Sequence, residues 1–187
     1  MKHKILIPLF VLMLASMACS IFIGGPDYPA QTVPVSTSEV QNMQTQVANA
    51  FVDGAKTGVV TIKITESQLT SLVAAKMLAQ ENPPFTDPQV LLRDNQMQLY
   101  GKIKRGSFSA NVLILATVGI DPVTGAPKVE VVSVDFGPFP APEGMNAAIN
   151  AVVAEAFTGS FGPVATGFRL ESIVIADGVM TMTGRIK

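Results

Sequence analysis

Nucleophilic, metal-ligating and acid–base chemistry near neutral pH draws first on cysteine and histidine, and this chain has one of each, Cys19 and His3. Both lie at its N-terminal end. Beyond Cys19 no imidazole is present to activate a hydroxyl or thiol, so Ser-His-Asp and Cys-His systems lack their base. A zinc site with His or Cys ligands lacks its donors for the same reason. Carboxylates remain, but Glu66, Glu130, Asp135, Glu143, Glu155 and Glu171 are scattered and form no paired motif. Glu130 and Asp135 sit at odd separation on a predicted strand, where alternation sends them to opposite faces. No serine stands in a Ser-x-x-Lys context, and Gly159-Ser160-Phe161-Gly162 lacks the lysine and the spacing of a phosphate loop. The chain is therefore expected to be non-catalytic, with no cofactor and no metal.

The one cysteine has a context of its own. Met1-Lys2-His3-Lys4 is a short basic segment, Ile5 to Leu14 is apolar and of signal-peptide length, and Leu14-Ala15-Ser16-Met17-Ala18 leads into Cys19. This stretch resembles the bacterial lipobox, in which the thiol takes a diacylglyceryl group and becomes the new N-terminus. Ala18 fits the cleavage position; Ser16 stands where the motif usually has Leu. The resemblance implies a signal peptide over 1–18, lipidation at Cys19, and anchoring to the outer face of the cytoplasmic membrane or to an outer membrane. Alternatively, Ile5 to Ile23 is long enough to remain as a spanning helix. Either anchor places the domain on the far side of a membrane.

Composition supports a well-filled core: 48% of the 187 residues are hydrophobic and 14% charged. Basic and acidic residues nearly balance, and no arginine cluster or basic stripe appears, so nucleic-acid binding has no electrostatic basis.

Residues 19–35 carry Gly24-Gly25-Pro26, Pro29 and Pro34, which reads as a flexible tether to a single domain over 36–187. Helix starts are marked at Ser36-Thr37-Ser38-Glu39, with Val40, Met43, Val47 and Phe51 on one face, and at Thr65 with Gln68, where Ile64 and Leu69 hold the staple positions. Pro83-Pro84 closes off the second. A third helix is predicted from about Glu143 to Phe157. Strands read by alternation over Val59 to Ile64, Leu91 to Arg93, Gln96 to Lys104, Phe108 to Ile120 and Lys128 to Phe136, with a tight turn at Asp94-Asn95. The run from Phe108 is long enough to imply a twisted, wrapping sheet.

Residues 90–104 align without a gap to residues 173–187, with Asp94 over Asp177, Met97 over Met180, Gly101 over Gly184, Ile103 over Ile186 and Lys104 over Lys187. Either a duplicated strand-turn-strand unit or the shared alternation of two amphipathic hairpins explains the echo. The two glycines fall inside strands, where glycine often marks a bulge or sharp curvature.

Ile64-Thr65-Glu66-Ser67-Gln68-Leu69 leading into a helix, Val90 to Lys104, and Asp177-Gly178-x-Met180-x-Met182-x-Gly184 together resemble the LmeA-like and YpmS-like bacterial envelope proteins. The resemblance implies an α+β domain in which a long, curved, mainly antiparallel sheet wraps around one or two helices. It implies similarity to half of a TULIP-like lipid-binding module. It also implies an apolar ligand, a phospholipid or another lipid, and carries no catalytic motif. On that reading the cavity lining is Leu69, Leu72, Val73 and Met77 facing Phe108, Val112, Ile114, Val118 and Phe136; the same residues would equally make a filled core. The rival expectation is a structural or assembly lipoprotein that grips a protein partner through Phe136-Gly137-Pro138-Phe139-Pro140, a segment that would serve equally as a buried loop anchor.

Overall fold

The computed structural model describes residues 20–123, 125, 127–139 and 168–186. The leader, Cys19 and the helix predicted over 143–157 lie outside the described residues. Helix α1, Thr37–Thr57, starts at Ser36, whose extended backbone (φ −146°) lets its hydroxyl accept from the Ser38 N–H at 3.2 Å. The Ser36 N–H, which a capping box would give to Glu39, donates instead to Ser71 Oγ at 3.1 Å. Met43 and Val47 are buried, with Val40 and Phe51 half-buried on the same stripe. Gly58 ends the helix in the left-handed conformation (φ 77°).

Strand β2, Val59–Thr65, buries Val60, Ile62 and Ile64. Helix α2, Glu66–Leu78, then opens with the complete capping box: Gln68 N–H donates to Thr65 Oγ1 at 3.3 Å, and Thr65 N–H to Gln68 Oε1 at 3.0 Å. Ile64 and Leu69, either side of that cap, are both buried.

Strands β3 (Thr86–Arg93), β4 (Gln96–Arg105), β5 (Phe108–Ile120) and β6 (Pro127–Asp135) pair antiparallel in that order. A short strand β1, Ile21–Phe22, joins β5 in parallel ahead of β6. Strands β7 (Phe168–Ala176) and β8 (Val179–Ile186) make a second sheet, β2–β8–β7. The class is α+β: a strongly curled, mainly antiparallel half-barrel around the helices. Strand β5 has 13 residues, and at ~3.3 Å each it runs for about 43 Å. Its alternation is as the sequence implies, with Ala110, Val112, Ile114 and Ala116 buried.

The sequence echo has a geometric counterpart. Both hairpins turn through two residues of positive φ, Asp94 and Asn95 (53° and 58°) and Asp177 and Gly178 (52° and 74°), the requirement of a type I′ turn. Their registers correspond, Val90 facing Leu99 as Ile173 faces Met182. Each register slips beside its glycine, between Thr86 and Gln89 near Gly101 and between Leu170 and Ser172 near Gly184.

Residues 20–35 correct the expectation of a flexible tether. The Ile21 and Ile23 N–H groups donate to Ser107 and Ser109 carbonyls at 2.7 and 2.9 Å, and Asn111 N–H donates to Gly24 O at 3.1 Å. Asn111 Nδ2 adds a bond to Pro26 O at 3.0 Å. Pro and Gly do block regular structure here, but they do not prevent docking on a free sheet edge. Gly25 is needed for that docking, because a Cβ there would collide with the Asn111 backbone. The segment is a strap across the sheet.

The outer edge of β3 meets α2, whose side chains stand in for a neighbouring strand. Thr70 Oγ1 accepts from Val90 N–H at 2.9 Å and lies 3.4 Å from Val90 O. Glu66 Oε1 accepts from Leu92 N–H at 2.7 Å and also binds Arg93. Four helical residues rise about 6 Å and two strand residues about 6.6 Å, so Glu66 and Thr70 match Leu92 and Val90. Replacing Thr70 by the near-isosteric valine leaves the Val90 backbone unpaired in a fully buried site, with an expected cost of about 1–3 kcal/mol. A fall in the urea midpoint with unchanged slope checks this; an unchanged midpoint removes the assigned role.

Candidate functional site: an apolar groove beside the N-terminal strap

Where α2 ends, the strap, the α2–β3 loop and the bulged start of β3 leave an open groove of about 540 Å³, within the range of small-ligand sites. Its floor is apolar: Ala74, Met77 and Phe85 border it and are themselves buried. Phe85 lies over Gly101, and a side chain at 101 would strike its ring, which is why this strand glycine is a packing requirement as well as a bulge neighbour. The lip is unusual for its exposure. Leu78 is 85% exposed and Val35 is 52% exposed, although both are large aliphatic residues.

The far end is polar and closely organised. Asp87, strained to positive φ (49°) within the β3 irregularity, is the centre of it. Tyr28 Oη donates to Asp87 O at 2.6 Å, and Lys102 Nζ pairs with Asp87 Oδ2 at 3.1 Å. The Lys102 ammonium also sits 4.9 Å from the Tyr28 ring centroid, and Tyr100 meets that ring edge-on at 6.3 Å, so cation–π and edge contacts hold the phenol in place. Burial, with the Asp87 charge adding to it, pushes the Tyr28 phenol up to about 12. A second tie is made by Gln89, buried on β3. Its amide pairs with the strap as a strand would, accepting from Val33 N–H at 2.6 Å and donating to Val33 O at 3.2 Å. The strap wall is thus held in place by side chains of β3 and β4.

Of the residues expected to line a cavity, Met77 borders this groove. Leu69, Leu72, Val73, Met77, Val112, Ile114 and Phe136 belong to one buried core, and Val118 packs half-buried against it. Phe108 is corrected: it is the first residue of β5 and is 46% exposed, because it lies at the end of the sheet ahead of the buried run that begins at Ala110. Tyr28, Phe85, Asp87, Gln89 and Lys102 were not foreseen. A lone tyrosine within the Pro-rich strap was the sequence signal that could have pointed to them. The Phe136–Phe139 segment acts as an anchor: Phe136 is buried, and Phe139 packs on the core with the Arg105 guanidinium 6.0 Å from its ring. Glu66, the carboxylate that acid–base chemistry would recruit, is committed to the β3 edge and Arg93.

No model of a known protein family matches the chain, and no curated protein shows significant similarity to it. Among the described residues, no helix is long and apolar enough to cross a membrane.

The Tyr28 shift sets a pH dependence. The folded state keeps a proton that the unfolded state loses near pH 10, so the stabilisation is complete below pH 10 and is lost as pH rises through about 12. Tyr28→Phe should remove that alkaline slope in unfolding experiments, and the difference phenolate titration should centre near pH 12. A difference titration centred at the ordinary value of a free tyrosine would remove the assigned environment.

Proposed function

We propose that this chain is an exported lipoprotein, acylated at Cys19 and held outside the cytoplasm, whose domain binds a lipid or similar apolar ligand in the strap groove. A role in envelope maintenance or lipid transport follows from that pairing of anchor and site. The groove is the observation that carries the reading. Its floor of Ala74, Met77 and Phe85, the exposed lip of Leu78 and Val35, and the polar end at Tyr28, Asp87 and Lys102 divide the site as an amphiphile is divided. An acyl chain would lie along the apolar wall and a headgroup at the polar end, where hydrogen-bonding groups are already gathered. Support also comes from the curled half-barrel around helices, which suits the sequence resemblance to TULIP-like envelope proteins, and from the lipobox-like context of Cys19. No catalytic role is proposed.

Native mass spectrometry of residues 20–187, purified without detergent, tests the reading when followed by extraction of bound material. A lipid-sized adduct is expected. Replacing Val35 and Leu78 by glutamate puts charge on exposed positions and should lower adduct retention about tenfold, equivalent to roughly 1.4 kcal/mol of lost apolar contact. A clean apo mass, unchanged after incubation with envelope lipids, would sink the ligand reading and turn attention to protein partners.

A further inference from the structure

The β4–β5 end of the large sheet carries an apolar cluster in the open. Ile21 is 55% exposed, Phe22 is 59% exposed and Phe108 is 46% exposed. Strand β1 brings them together, pairing Ile21 with Phe108 and Phe22 with Ser109. On β4, Arg105 stands opposite Phe108 and Lys104 opposite Ser109, both exposed. Each face of the tip therefore combines an apolar side chain with a cation: Ile21 and Phe108 with Arg105 on one, Phe22 with Lys104 on the other.

We propose that this tip is a bilayer-docking surface that seats the domain on anionic lipid in one fixed orientation. The inference rests on the lipidation of Cys19 proposed above. Two peptide units separate Cys19 from Ile21, a reach of at most about 7.6 Å. Ile21 is not free to swing away, because its N–H and that of Ile23 are bound to the β5 edge. An acyl-bearing Cys19 therefore brings the tip to the membrane surface, where exposed Ile and Phe side chains enter the interface and Lys104 and Arg105 meet lipid phosphates. A flexible tether would impose no such orientation; the docked strap does. Lys102, at the groove's polar end, is about 10 Å from Arg105 along β4, so the same orientation places the polar end of the groove near the headgroup layer.

The test uses the full chain, processed and lipidated in a bacterial host and reconstituted into vesicles of equal parts phosphatidylglycerol and phosphatidylethanolamine. The intact mass reports whether Cys19 carries its diacylglyceryl group. Variants with one added cysteine, Ser107→Cys at the tip or Val174→Cys on the second sheet, both exposed positions, carry a fluorophore at the added thiol, since an acylated Cys19 does not react with the label. Lipids brominated on their acyl chains should quench the Ser107→Cys label at least threefold more than the Val174→Cys label. Adding Phe22→Ser and Phe108→Ser, both at exposed sites, should at least halve that difference. A correctly acylated protein whose two labels are quenched equally overturns the docking surface and leaves the anchor standing. An unmodified Cys19 overturns the anchor and the docking surface with it.

Discussion

The arrangement depends on the junction between helix α2 and the edge of β3. A helix beside a sheet edge normally leaves strand N–H and C=O groups unpaired, at a cost comparable to a lost hydrogen bond for each buried group. Here the i, i+4 spacing of Glu66 and Thr70 matches the i, i+2 spacing of Leu92 and Val90, and the helix completes the strand's hydrogen bonding. The edge is closed to further strands, and the helix is drawn against the curled sheet. The polar side chains of α2 then have distinct partners: Gln68 donates to Gln46 on α1 at 3.1 Å and accepts from Thr65, while Ser71 accepts from Ser36 at the start of α1. A helix buried on nearly all sides can carry three buried polar residues in its first two turns because each is satisfied.

That junction also fixes the groove. Since Glu66 and Thr70 anchor the first turns of α2 to β3, the helix end at Leu78 is set at a defined height above the β3 bulge. The bulge turns Asp87 out of the ladder, freeing it to bind Tyr28 and Lys102 in place of a strand partner. Gln89, two residues further along β3, holds Val33 of the strap. The strap crosses a β3 edge already satisfied by side chains, so Gln89 and Asn111 bind the Val33 and Pro26 peptide groups in place of a continued strand ladder. Strand pairing is confined to its first residues at the start of β5.

Local signals were legible in the sequence wherever a short-range interaction decides the structure. The Thr65–Gln68 cap, the Asp94-Asn95 turn and the alternation from Phe108 each involve neighbouring residues, and the structure has all of them. Long-range substitutions were not legible. Ser36 is satisfied by Ser71, 35 positions away, and Val33 by Gln89, 56 positions away, and a serine or glutamine gives no local sign of such a partner. The strap's docking is not legible either, because composition reports what a segment cannot form by itself, not which edge is available to receive it. The apolar stripe of α2 was assigned to its correct side, yet periodicity does not distinguish a core from a cavity: both need apolar residues at the same spacing, and only the volume between the facing side chains separates them.

The strap joins the two ends of the functional reading. Its first residues are pinned at the tip of β5, and Tyr28, Val33 and Val35 form the groove wall. Its middle is held by side chains, through bonds such as Asn111 to Pro26, Tyr28 to Asp87 and Gln89 to Val33, and much of its surface is exposed. Segments held this way belong to the low end of a protein's range of local stabilities, where binding walls are commonly drawn. The floor is different in kind: Ala74, Met77 and Phe85 are buried, and α2 is tied to β3 through Thr70 and Glu66. On the proposed reading, the buried floor would supply constant apolar contact area for a bound chain, and the strap, held mainly by side-chain bonds, would bound that chain on its open side.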